Sequence, residues 1–156
     1  MSDITDRPRI LVIHGPNLNF LGTREPETYG ATTLADINET LQRTGDTWGV
    51  DIDTFQSNHE GMIVEAIQAI AASHQGLIIN PAAYTHTSVA IRDALLLLKM
   101  PIVEVHLSNV HKREPFRHKS LISDVCTGQI VGLGSMGYLL ALEFIVKTIR
   151  KQSESA

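Results

Sequence analysis

Six residues of this chain have the side chains that proton chemistry uses: Asn17, Arg24, Tyr29, Asn80, Glu104 and His106. A tyrosine has a reference pKa of about 10, so it is a poor base at neutral pH. A guanidinium beside the phenolate favours its charged form, and bringing that pKa to neutrality needs roughly 4 kcal/mol of differential stabilisation. Arg24 precedes Tyr29 on the same stretch and can supply part of it. His106 carries an imidazole, the side chain that most often serves as a general acid. Glu104, two residues earlier, shares a strand face with it and is placed to orient the ring. A phenolate base, an imidazolium acid and amide donors between them suit removal of an α-proton beside a carbonyl, followed by loss of a β-hydroxyl.

The elements that must position these groups follow from periodicity. Ile10–Ile13 reads as a buried strand, and the stretch His14–Tyr29 then runs on without helical or strand periodicity. A loop that long inside a compact domain is uncommon and usually functional. Thr33 and Asp36 have capping-box spacing and start a first helix over residues 33–46. Val50–Phe55 is the second strand, and Ser57 with Glu60 repeats the capping spacing ahead of a second helical stripe from Met62 to Ile70. Gly76–Ile79 is strand three and Val89–Leu98 the third helix. Pro101 closes it before strand four, Ile102–Val105. A polar, largely aperiodic segment over 107–127 leads to strand five at Gln129–Val131 and a final helix from Tyr138 to about Lys151.

Strands alternating with helices imply βαβ units and a parallel sheet covered on both faces. The predicted architecture is α/β, a flavodoxin-like three-layer fold with five parallel strands in the order 2-1-3-4-5. In such sheets ligands bind beyond the carboxyl ends of the strands, where the strand order reverses. Those ends carry His14 and Asn17, Gln56 to His59, Asn80, and His106 to Ser108, whereas the amino ends carry Arg9, Gly49, Gly76 and Pro101. The asymmetry places a site without naming its reaction.

With 156 residues the chain fits one catalytic domain, residues 1–156, with 1–8 and 152–156 as flexible tails. A net charge of −4 argues against a nucleic-acid or anionic-membrane surface as the main partner. The single cysteine, Cys126, fits a reducing cytoplasm, and no apolar run reaches the length of a membrane span.

Competing motifs are weaker. Gly132-Leu-Gly-Ser-Met-Gly137 satisfies G-x-G-x-x-G but has no following strand with an acidic end, so a tight strand-to-helix turn is favoured over a nucleotide or flavin site. Seven histidines invite a metal, yet no HExxH occurs; convergence of His86 and His106 remains the metal-hydrolase alternative. Cys126 lacks a neighbouring histidine. The lysines sit at the wrong sheet end (Lys99), on the last helix (Lys147, Lys151) or in an unsupported loop (Lys112, Lys119), so Schiff-base chemistry is poorly supported.

Five blocks together resemble the type II 3-dehydroquinate dehydratases: His14–Gly30, Gln56–Gly61, Ile79–Asp93, Glu104–Asn109 and Gly132–Tyr138. The resemblance implies that Tyr29 abstracts the proton and that Arg24 activates it. It implies that His106 protonates the departing hydroxyl and that Asn17 holds a water against the enolate oxygen. Asn80, His86, Arg117 and the pair Leu107 and Ser108 match substrate-binding positions, and Arg113 matches a second arginine of the mobile lid. Asp93 matches a residue that reaches the ligand from a neighbouring subunit. The resemblance further implies a cofactor-free and metal-free enzyme assembled as a homododecamer of trimers. Its reaction converts 3-dehydroquinate to 3-dehydroshikimate through an enolate, in the shikimate or quinate pathway. Two positions depart from the pattern: His14 stands where Asn is expected and Ala82 where Gly is expected. The first is expected to shift the pH profile. The second matters if that backbone needs φ > 0.

Overall fold

The computed structural model describes residues 6–23, 27 and 30–156. Apolar residues of the strands alternate between the two faces of one parallel sheet, and that alternation builds two cores. The strands are β1 (Arg9–His14), β2 (Asp51–Gln56), β3 (Gly76–Asn80), β4 (Ile102–His106) and β5 (Gly128–Val131). Their order is β2-β1-β3-β4-β5, with every pair parallel. Helices α1 (Leu34–Trp48) and α4 (Met136–Glu154) cover one face, packing on Ile10, Val12, Ile78, Val103 and Val105. Helices α2 (Glu60–Ala69) and α3 (Val89–Leu95) cover the other, packing on Leu11, Ile13, Leu77, Ile79 and Ile102. This is the flavodoxin-like three-layer arrangement expected from the strand and helix periods.

The helix starts show where local signals prevail. Thr33 and Asp36 form the complete box: Asp36 donates its N–H to Thr33 Oγ1 at 3.1 Å, and Thr33 donates its own to Asp36 Oδ2 at 2.9 Å. The same spacing at Ser57 does not start α2, whose N-cap is His59. Ser57 is still held by the sheet, because its N–H donates to the His14 carbonyl at 3.1 Å. Its hydroxyl accepts from His59 N–H at 2.9 Å and makes a turn instead of a cap. Helix α3 ends at Leu95, short of the expected Leu98, as i→i+3 hydrogen bonds at Leu97 and Leu98 tighten the chain ahead of Pro101. Helix α4 begins two residues before Tyr138 and runs past Lys151 to Glu154. Arg7, in the expected amino-terminal tail, lies 3.1 Å from carboxylate oxygens of both Asp46 and Asp51.

One close approach and one left-handed residue set the strand ends that carry the site. Gly15 donates to the Asn80 carbonyl at 2.7 Å, and a Cβ there would lie 2.5 Å from the Pro81 oxygen, so only glycine lets β1 leave beside β3. Ala82 adopts φ 51°, the left-handed region in which the expected Gly is at ease. That conformation costs an L-residue about 1–2 kcal/mol, while glycine loses roughly 0.4–1 kcal/mol more in chain entropy on folding. Ala82→Gly is therefore expected to raise stability by about 0.5–1 kcal/mol, read as a higher denaturant midpoint at unchanged slope. A lower midpoint would mean that the turn holds alanine without strain.

Candidate active site

The carboxyl ends of β1, β3 and β4 open on a cleft of about 420 Å³. Asn17, Asn80, His86, His106, Leu107, Ser108, Arg113 and Arg117 all line it, so eight of the twelve residues selected from the sequence meet in one place. Leu18, Phe20 and Val110 supply apolar walls. Of the other four, Glu104 lies beneath the cleft behind His106, and Asp93 is exposed on α3, outside the cleft in its own chain. Arg24 and Tyr29 lie outside the described residues.

Each lining group is held by an identifiable device. Asn17 sits in the left-handed region at φ 68°, which asparagine tolerates better than most residues. Its N–H donates to Asn58 Oδ1 at 2.9 Å, which ties the start of the long loop to the end of β2. His86 Nδ1 donates to the Lys119 carbonyl at 2.8 Å, so the segment after β4 fixes that ring. Arg117 is paired with Glu114, and its guanidinium carbon lies 5.0 Å from the centre of the Phe116 ring. Arg113 and Arg117 bring positive charge to the cleft of an acidic chain, as an anionic ligand requires.

His106 and Glu104 point to the same face of β4 by the two-residue strand period. Glu104 is fully buried, and its Oε2 accepts from His106 Nε2 at 2.5 Å. Thr85 Oγ1 donates to the same oxygen at 2.5 Å, and Ser120 Oγ lies 2.9 Å from Oε1. Burial opposes ionisation of Glu104, but the hydrogen bonds from His106, Thr85 and Ser120 outweigh it and hold the carboxyl below the usual range. The carboxylate under the imidazole commits Nε2, leaving Nδ1 as the nitrogen able to act outward. Thr85 and Ser120 were absent from the sequence-based set. Thr85 lies within one of the five recognised blocks, whereas Ser120 lies in an aperiodic segment that carries no signal of its contact.

His14 does not join the cleft. The strand period turns it to the face shared by Ile10 and Val12, where it is fully buried between α1 and α4. Its Nε2 lies 2.8 Å from Asn38 Oδ1 and its Nδ1 lies 2.9 Å from the Tyr138 hydroxyl. Burial lowers its pKa from 6.5 to about 4, only partly opposed by the Asn38 hydrogen bond. Its place outside the cleft and its burial, which disfavours the charged form, argue against the expected influence of this imidazole on the pH profile. Its effect falls on stability. The unfolded chain binds a proton between pH 6.5 and 4 that the folded chain refuses, so stability is full above 6.5 and falls as pH drops towards 4. The loss comes to about 3 kcal/mol, and replacing His14 by Asn is expected to remove that slope from denaturant midpoints measured against pH.

The remaining motifs take structural roles. Gly132 and Gly134 donate their N–H groups to the His106 and Leu107 carbonyls, at 3.1 and 3.0 Å. Two of the donors a phosphate would use are thereby spent, and the turn closes on the end of β4. Burial, followed by the Glu104 and Asp124 charges, pushes the Cys126 thiol up to about 12, so it is no nucleophile. Among the described residues, no three His, Cys, Asp or Glu side chains gather as a metal would need.

Comparison with known proteins gives a consistent set of relatives. The family model described as dehydroquinase class II matches residues 8–146. The "3-dehydroquinate dehydratase 1" of Ralstonia nicotianae is 62% identical over 140 residues, covering 88% of each chain. A "catabolic 3-dehydroquinase" of Aspergillus oryzae is 53% identical over 147 residues, covering 94% of this chain and 96% of its own. Among solved structures, the type II dehydroquinase from Propionibacterium acnes superposes with a TM-score of 0.86 at 44% identity, over 89% of this chain and 96% of the other.

Proposed function

The chain belongs to the class II dehydroquinase family, and from that premise we propose that its cleft dehydrates 3-dehydroquinate to 3-dehydroshikimate through an enolate, in the shikimate or quinate pathway. The observation that carries the reading is the His106 imidazole, held by a buried carboxylate and opening onto a cleft that also takes two amides and two arginines.

The residue roles are those that the family resemblance implies. Tyr29, as a phenolate activated by Arg24, removes the proton α to the substrate carbonyl, and the electron pair moves onto the carbonyl oxygen. Asn17 holds a water against that enolate oxygen. The enolate then collapses, the bond to the β-hydroxyl breaks, and His106 Nδ1 delivers the proton that lets it leave as water. Protons and electrons balance within the substrate and these two side chains, so the reaction calls for no cofactor or metal. Ser108 and the Leu107–Ser108 backbone take the substrate carboxylate, Asn80 and His86 take hydroxyls, and Arg113 and Arg117 close the anionic side.

The same reading makes the chain one catalytic domain acting on a small molecule, with neither nucleic acid nor membrane as partner, in a reducing cytoplasm. Its lone cysteine supports the last point, and no helix among the described residues is long and apolar enough to cross a membrane. It also makes the working form a homododecamer of trimers in which Asp93 enters a neighbour's cleft. The support is that Asp93 is exposed on α3, among Val89, Leu96 and Leu97, which are each at least 58% exposed. Light scattering reads the mass directly.

The test of function adds 3-dehydroquinate to purified protein with chelator present and follows the ultraviolet absorbance of the conjugated enone. A second sample is first treated with borohydride in the presence of substrate and desalted. Rising absorbance in both is expected. A flat trace from folded protein would overturn the reading.

A further inference from the structure

A directed row of hydrogen bonds runs from the cleft through the sheet into α1. Ala82 donates its N–H to Asn80 Oδ1 at 3.1 Å, and Asn80 Nδ2 lies 3.0 Å from the Tyr138 hydroxyl. The Tyr138 hydroxyl lies 2.9 Å from His14 Nδ1, and His14 Nε2 lies 2.8 Å from Asn38 Oδ1. His14, Tyr138 and Asn80 are each at most 2% exposed. Water therefore does not substitute for a missing partner.

The polarity of this row is set from the Ala82 end. A backbone N–H only donates, so the Asn80 oxygen faces Ala82 and its amide nitrogen faces Tyr138. The tyrosine oxygen accepts from Asn80, and its own proton then goes to His14 Nδ1. An imidazole that accepts at Nδ1 carries its proton on Nε2, which matches the acceptor oxygen of Asn38. One of the two Asn80 N–H bonds is committed to Tyr138. The other has no partner among the described residues, and Asn80 lines the cleft.

We propose that His14 and Tyr138 are positioning residues that hold the Asn80 amide with its free N–H presented to an oxygen of the substrate. This rests on the assignment of Asn80 to substrate binding. The histidine at position 14, where the family resemblance leads to Asn, has the length to continue the row into α1; an asparagine has no atom at the Nε2 position. Reversing the row would bring the Asn80 oxygen towards Tyr138 and its NH₂ against the Ala82 N–H, two donors facing each other. A substrate hydroxyl oxygen would then meet an acceptor where it now meets a donor. Burial between two helices keeps the imidazole neutral, which the row requires, since imidazolium donates from both nitrogens.

The test compares wild type, Tyr138→Phe and Asn38→Leu, neither of which replaces a cleft residue. Tyr138→Phe keeps the ring and removes the link; Asn38→Leu removes the far acceptor. Each is expected to raise KM for 3-dehydroquinate about tenfold, the equivalent of one hydrogen bond, while kcat changes by less than threefold. Long-range ¹⁵N spectra of the ligand-free wild type are expected to show a single His14 tautomer protonated on Nε2. In both variants the Asn80 side-chain amide resonances are expected to shift. A protonated Nδ1 in wild type, unmoved Asn80 resonances in Tyr138→Phe, or KM within twofold of wild type in both variants would overturn the proposal. Absence of turnover in wild type overturns the dehydratase reading instead, and the ligand-free spectra decide the positioning role in that case as well.

Discussion

Replacing His106 by Gln is expected to lower kcat on 3-dehydroquinate by about 10²–10⁴, with KM close to that of the wild type. The size follows from the proposed role. A β-hydroxyl leaves an enolate poorly as hydroxide, and a positioned acid supplies about 3–5 kcal/mol of barrier reduction when it delivers the proton in the transition state. Glutamine retains hydrogen-bonding capacity at the site but has no proton to give. The wild-type group is well placed for the task, because Nε2 is committed to Glu104 at 2.5 Å and the ring is buried on its strand side. Steady-state kinetics with a thermal melt as control read the effect. A variant with kcat within threefold of wild type would remove His106 from the role of acid.

Glu104→Ala is the change expected to damage both the fold and the turnover. Three donors converge on this carboxylate, from Thr85, Ser120 and His106. Deleting it strands them in a region with no solvent access to Glu104 itself, and breaking a buried pair of this kind costs about 3–5 kcal/mol. Glu104→Gln separates shape from charge. It fills the same volume but sets an amide NH₂ among donors and loses the carboxylate that holds His106 Nε2, so kcat is expected to fall about 10²-fold with a smaller loss of stability.

The pH dependence has a defined sign. Burial works against the charge, but the three donors more than offset it, so the folded carboxyl titrates below its unfolded counterpart. Its contribution is present above the unfolded pKa of about 4.3 and is lost as pH falls through the lower folded value. The His14 contribution is lost higher up, between 6.5 and 4. Denaturant midpoints against pH should therefore show two acid limbs, the lower absent from Glu104→Gln and the upper absent from a His14→Asn chain. Retention of the lower limb in Glu104→Gln would mean that other carboxylates dominate acid unfolding.

Much of the architecture is readable from residue order because it rests on local periods. Apolar strands separated by helical stripes call for helices on both sides of a parallel sheet, and the structure has the expected order β2-β1-β3-β4-β5. The two-residue strand period likewise puts Glu104 and His106 on one face before any fold is known. Element ends were less legible, because they depend on neighbours. Ser57 has the spacing of a cap, yet its N–H belongs to the sheet, and no local pattern reports that bond to His14. Arg24 and Tyr29 were selected from the long loop and lie outside the described residues.

The sequence by itself determined the layers of this protein, the end of the sheet where polar groups collect, and the residue types available there for moving protons. These are properties of spacing along one chain. Only the tertiary structure decided what each polar group faces. It turned His14 away from the cleft and into the core, and brought Thr85 and Ser120 together under Glu104 from two separate segments. It also joined Asn80 to Tyr138 across 58 positions of sequence. A hydrogen bond is specified by two partners and a direction, and when the partners lie on different elements the packing of those elements brings them within reach. For that reason the imidazole at position 106 opens on the cleft over a buried carboxylate while the one at position 14 is buried and kept neutral, although both histidines end strands of the same sheet.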